Sequence, residues 1–311
     1  IMADKKAIID ETQFEAQYDA EAKLLLAQKP FLANILVHTV KDYIGLNPCD
    51  VEKLIEGEPY ISTIPVEPGF TNSVQIKGMN SENKVRNEGV AYFDILFYVR
   101  TADGLSKVII NIEAQKSEPT DYDVEMRGLY YAIREVSSQL DREFDSQNYN
   151  DIKKVYSIWI CMNEKDNMLE KIYLTKNDII GISRWKDMYE IVNVVIIRLA
   201  KTLDLQTEHE LHRFLGALFL PELSAEEKND MLENEFDIKM EGDRKELLKS
   251  MCNLSQGIKE QGIEQGRREE RISTLVTFFK NDGTVAAAKQ MLNSSDEDIK
   301  IAKERLSMIE E

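Results

Sequence analysis

The chain is 311 residues long, 43% hydrophobic and 31% charged, which is enough apolar material to bury a core and too much for global disorder. Fifty-six acids against thirty-nine bases give a net charge of −17, excluding a uniformly basic nucleic-acid coat and leaving any phosphate contact to a local patch. The three cysteines, Cys49, Cys161 and Cys252, are too scattered for a disulfide scaffold or zinc ribbon and suit a reducing cytoplasm; no apolar run nears the roughly 20 residues of a membrane helix, and no signal-peptide pattern opens the sequence.

In chain order, residues 18–43 read as helical, with Pro30 as a kink or boundary. Tyr60 to Val66 reads as a short strand. Val90 to Val99 (VAYFDILFYV) and Lys107 to Gln115 (KVIINIEAQ) carry the strongest strand signals. Asp121 to Glu143 has Leu129, Ile133, Val136 and Leu140 at helical spacings. Lys154 to Met162 (KVYSIWICM) reads as a buried strand, Ile191 to Leu199 as either a strand or a buried helix, and Leu203 to Leu218 as a helix. Six of the seven prolines precede Pro221 and none follows it. The expected organisation is an α/β domain over residues 1–223 and a helical region over 224–311. Within the latter, Ser224 to Asn234 reads as a helix, and Gly257, Gly262 and Gly266 punctuate a second helical stretch at about 1 kcal/mol each. Short helices follow around an Asn281-Asp282-Gly283 break, and Ser295 with Asp298 fits a capping box for the last of them. This weakly resembles a helix-turn-helix.

The two best strands are joined by RTADGLS, residues 100–106, with Asp103-Gly104 as the turn signal. A tight turn centred there sets opposed residue numbers to a sum of 207, so Asp94 faces Glu113. Strand alternation puts Gln115 on the face of Glu113 and turns Lys116 away. Like charges directly opposite are destabilising, and carboxylates among apolar neighbours require a partner or a metal. Mg²⁺, a hard cation held by carboxylates and water, answers both needs.

Asp94 followed by Glu113-Ala114-Gln115 at the end of the next strand resembles the PD-(D/E)XK nuclease signature in its variant with Gln at the Lys position. Asn111 to Lys116, then Arg127-Gly128-Leu129-Tyr130-Tyr131, Lys154 to Met162 and the glycine-punctuated tail together are similar to the PD-(D/E)XK family transposases, also called recombination-promoting nucleases. The resemblance spans roughly residues 15 to 270. It implies a restriction-endonuclease-like α/β core, with a mixed sheet flanked by helices and an all-helical C-terminal tail. It also implies a cytoplasmic enzyme that hydrolyses DNA phosphodiesters with Mg²⁺ or Mn²⁺ in recombination or mobile-element biology. Asp94 and Glu113 would hold the metal, Glu113 would orient the attacking water, and the Ala114 carbonyl would be a further ligand. Gln115 would hydrogen-bond water or phosphate without supplying charge, a task that passes to a second cation or to Arg127. Glu15 or Glu21 would be the first-helix glutamate. The alternative is a catalytically degenerate nuclease fold that binds nucleic acid or a protein.

Arg127 and Arg134, seven apart on one helix face, and Lys116 are the expected DNA contacts. His209 and His212 lack HExxH spacing and read as a solvated helix face, with His38 half-buried on the first helix. Tyr130 and Tyr131 read as core and rim packing, with one available to stack on a base. Trp159 and Trp185 carry no functional signal. The partners expected are DNA and further copies of the chain through the C-terminal helices, with no membrane.

Overall fold

The computed structural model describes residues 17–18, 20–61, 95–101, 104–113, 123–182, 190–202 and 209–310. The first described helical stretch, residues 20–26, breaks at Ala27-Gln28. The chain re-enters helix α1, Lys29–Thr39, with Pro30 in its first turn, where a missing N–H costs nothing. Helix α2, Pro48–Glu52, and strand β1, Ile55–Ile61, follow. The hairpin strands are β2, Ile95–Thr101, and β3, Gly104–Glu113. Helix α3, Val124–Ser137, leads to β4, Val155–Glu164, then β5, Met168–Tyr173, and β6, Val192–Ala200. Helices α4, Glu210–Phe219, α5, Ala225–Asn234, α6, Asp243–Lys280, α7, Val285–Met291, and α8, Asp296–Glu310, complete the chain.

The strands form one mixed sheet in the order β1-β2-β3-β4-β6-β5. β1, β2 and β3 are antiparallel; β3, β4 and β6 are parallel; β5 returns antiparallel to β6. Parallel neighbours require a long crossover, which α3 supplies between β3 and β4. Residues 191–199 resolve to strand because β4 and β5 pair with both edges of β6. Its buried Asn193 is accommodated by donating to the Glu190 carbonyl at 2.9 Å.

Alternation divides β4 between two cores. Tyr156, Ile158 and Ile160 join Ile95, Phe97 and Val99 beneath α1 and α4, whereas Val155, Trp159 and Cys161 join Val194 and Ile196 beneath α3.

The described residues fall into two compact units, up to Cys252 and from Asn253 onward. Residues 224–252, read from sequence as the start of the helical region, group with the α/β unit because Leu232, Phe236, Ile238, Leu248 and Met251 pack into its core. The second unit has its own core of Ile272, Leu275, Ala288, Ile299 and Ala302. The three glycines do not interrupt α6. A complete capping box occurs at Ser224 and Glu227. At α8, Ser295 accepts from Asp298 N–H at 3.1 Å, but the Asp298 carboxylate turns to Arg268 at 3.2 Å. No described helix is long and apolar enough to cross a membrane.

Candidate active site

Asp94, Ala114, Gln115 and Lys116 lie outside the described residues, as does the Glu113 side chain; Glu113 itself is the last residue of β3. The β2–β3 ladder pairs Ile95 with Ile110 and Thr101 with Gly104, so opposed numbers sum to 205 rather than the expected 207. The reason is the turn. Gly104 enters the ladder at φ +109° instead of closing the loop, which moves the centre back by one residue. Thr101 Oγ1 fastens that end, donating to the Gly104 carbonyl at 3.0 Å. A slip of two leaves the parity of every position unchanged. On the other edge of β3, Glu113 pairs with Cys161, and Cys161 with Arg198, one rung crossing three strands.

α3 sits unusually close to this part of the sheet, and Gly128 is the cause. A Cβ there would lie 2.7 Å from Val194 Cγ1 and 2.9 Å from Trp159 Nε1. The close approach brings Arg127 over the rings of Tyr131 and Trp159, at 5.5 and 5.4 Å from their centroids. Trp159 is locked by donating Nε1–H to Ser157 Oγ at 2.8 Å. From it a ladder of rings runs outward, 5.7 Å to Tyr131 and then 6.0 Å to Tyr130, where Arg134 lies 5.6 Å from the centroid. This revises two expectations. Arg134 is only 7% exposed, so it is badly placed to grip phosphate; both arginines are stacked on aromatic faces, a cation–π arrangement. Trp159, which gave no signal in the sequence, anchors the ladder. Strand parity, placing it on the α3 side of β4, was the only clue.

Further along the same face Arg198 bridges three carboxylates. It binds Glu125 from the first turn of α3, Glu164 at 3.3 Å and Glu170 at 3.9 Å. Partial burial opposes the charge on Glu125, but hydrogen bonds from its own backbone, from Glu170 and from Arg198 hold its carboxyl below the ordinary value. Burial pushes Glu170 upward, reinforced by its hydrogen bond to Glu125 and that group's charge. The sequence reading missed this cluster, whose members come from four separated elements, α3, β4, β5 and β6.

The three histidines meet elsewhere, on the α1/α4 side. His38 and His209 are 5.2 Å apart by ring centroid, and His209 and His212 are 6.0 Å apart. His212 is buried, with Nε2 3.1 Å from the Met168 carbonyl, so it is no solvated helix face. Burial lowers the pKa of His38; Glu210 opposes this, and His209 and His212 add to it. Folded protein therefore binds fewer protons here than unfolded chain. This contribution is full above the unfolded value of 6.5 and is lost as pH falls through the lower folded value. A melting temperature that declines below about pH 6.5 less steeply in His38→Gln than in wild type is the expected result; parallel pH curves would contradict it.

Among the described residues no group of three or more His, Cys, Asp or Glu is arranged to hold a metal ion. Glu15 lies outside the described residues. Glu21 accepts from Gln17 at 3.0 Å through Oε1, and its Oε2 is buried with no hydrogen-bond partner among the described residues. Comparison with curated proteins and with solved structures finds no match. The family model for PD-(D/E)XK nuclease family transposase, however, matches residues 65–262, more than half of the chain, spanning the hairpin, α3 and the parallel strands just described, and the protein belongs to that family.

Proposed function

We propose that this protein is a divalent-cation-dependent endonuclease that hydrolyses DNA phosphodiester bonds, acting in the cytoplasm in recombination or mobile-element biology. The observation that carries this reading is the family match over residues 65–262. The described hairpin, with β2 antiparallel to β3 and Glu113 closing β3, fits that reading.

Asp94, Glu113 and the Ala114 carbonyl are hard oxygen donors, the set that suits Mg²⁺ or Mn²⁺. Glu21, whose Oε2 is buried with no hydrogen-bond partner among the described residues, is the first-helix glutamate that this reading uses. A divalent cation held by these groups supplies Lewis-acid polarisation and makes water more acidic. Glu113 also orients the attacking water by accepting its hydrogen bond. Gln115 donates its amide N–H to that water or to a phosphate oxygen and contributes no charge. Arg127, fixed on Trp159, contributes positive charge through its field. The C-terminal helices are the proposed site of self-association.

The neutral Gln115 favours a second reading, a nuclease fold that binds nucleic acid or protein without cutting. Supercoiled plasmid separates the two. Nicking in Mg²⁺ and none in EDTA is expected of the enzyme; a gel shift with DNA intact under both conditions is expected of the binding module.

A further inference from the structure

Arg198 occupies a position where an arginine is costly. It follows Val194 and Ile196 along β6, both in the core beneath α3. Burial works against its charge, and the hydrogen bond and charge of Glu125, then the charge of Glu164, more than restore it. The planar fork of the guanidinium serves three elements at once. Nη1 meets Glu164 of β4 at 3.3 Å, whereas Nη2 meets Glu125 of α3 and Glu170 of β5. One guanidinium facing three carboxyl groups has no surplus charge for a phosphate, so a part in catalysis has to act through another group.

That group is Arg127. The first turn of α3 is weakly fastened on its own, because Asp123 stands at the N-cap without a side-chain hydrogen bond to the helix. Two contacts bracket Arg127 instead. Glu125, two residues before it, is bound to Arg198, and Gly128, one residue after it, lets the helix approach Val194 and Trp159. Between them the Arg127 guanidinium lies 5.4 Å from the Trp159 ring centroid. Arg198 also shares a rung with Glu113, through Cys161, near the ends of three parallel strands. Open α/β sheets gather their ligands at such ends. Two steps of about 4.8 Å put the backbones of Glu113 and Arg198 about 10 Å apart.

Resting on the proposed action on DNA, we infer that Arg198 is a positioning residue: by tying the first turn of α3 to β6 through Glu125, it fixes where Arg127 delivers its positive charge. Glu164 anchors the same guanidinium to β4 and not to α3. Neutralising Glu125 and neutralising Glu164 therefore have different consequences.

The test compares Glu125→Gln, Arg198→Met and Arg198→Lys in a Trp185→Phe background, with Glu164→Gln as the control. Nicking of supercoiled plasmid in Mg²⁺ is followed over a range of DNA concentrations, and Trp159 emission is read without DNA. Glu125→Gln and Arg198→Met are each expected to lower kcat about 10- to 100-fold, the upper figure being the cost of a misplacement of about 1 Å, with KM little changed. The double variant should be no worse than the more damaging single one, because both break the same contact. Arg198→Lys keeps a charge opposite Glu125 and should recover part of the loss. Trp159 emission should change in Glu125→Gln and Arg198→Met. In Glu164→Gln both kcat and emission should stay as in wild type, whatever the change in melting temperature. A Glu164→Gln variant as impaired as Glu125→Gln would reduce Arg198 to a general stabilising contact and overturn the proposal. Unchanged kcat or unchanged Trp159 emission in Glu125→Gln would overturn it as well, whether or not Arg198→Met folds. Wild type that nicks nothing would sink the endonuclease reading; the emission arm, which needs no turnover, would still decide whether Arg198 holds Arg127 in place.

Discussion

Asp94→Ala and Glu113→Ala are each expected to reduce Mg²⁺-dependent nicking by about 10²- to 10³-fold, the scale of removing one preorganised electrostatic group from a reacting centre. The two substitutions should not add when combined, because either one alone disables the same unit. Thermal melting gives a readout that needs no turnover. In the proposed site the Asp94 and Glu113 carboxylates would repel one another without metal, and a bound cation would stabilise the fold by mass action. Wild type should therefore melt higher in Mg²⁺ or Mn²⁺ than in EDTA. Asp94→Asn should lose that difference and melt higher than wild type in EDTA, since one repelling charge is gone. Full nicking in both alanine variants would show that the named carboxylates are not the catalytic ones. A metal shift that persists in Asp94→Asn would place the cation elsewhere.

What the sequence revealed was periodicity. The hairpin, α3 and β4 stand out because apolar residues recur at intervals of two or of three and four. Tertiary pairing had to decide the rest. The run 191–199 is apolar but for Asn193 and Arg198, and only its pairing with β4 and β5 makes it a strand. β5 went unread because Met168–Tyr173 places Glu170 and Lys171 at the centre of a short edge strand, where partial exposure leaves no apolar alternation. The register missed by two because Asp103-Gly104 signals a turn without saying which residue closes it. Side-chain chemistry was less legible still. Spacing placed Arg127 and Arg134 on one face of a helix, but spacing cannot show that aromatic rings occupy the space beneath them. The His38–His209–His212 group unites positions about 170 residues apart and was invisible in one dimension.

Gly128→Ala is expected to destabilise the protein despite adding a better helix former. Alanine gains up to about 1 kcal/mol in an unconstrained helix, whereas overpacking a tight contact costs about 1–3 kcal/mol. The second effect should win because neither obstructing group can swing aside. Val194 is fully buried in the sheet, and Trp159 is buried and held by Ser157. A methyl 2.7 and 2.9 Å from them must lift α3 instead. The predicted result is a fall in melting temperature of about 2–4 °C for each kcal/mol lost. Gly262→Ala is the control. Its Cβ would meet nothing within 4 Å on exposed α6, so the same change should raise stability by about 0.5–1 kcal/mol. The lift also predicts a consequence beyond stability, because Arg127 and Tyr131 ride on the same helix turn and contact Trp159. The chain has two tryptophans. In a Trp185→Phe background, Gly128→Ala should alter the fluorescence of Trp159 and reduce nicking together, whereas Gly262→Ala should change neither. Undisturbed Trp159 emission with an unchanged melting temperature would mean that the helix accommodates a methyl group without moving, and that the close approach does not set the position of Arg127.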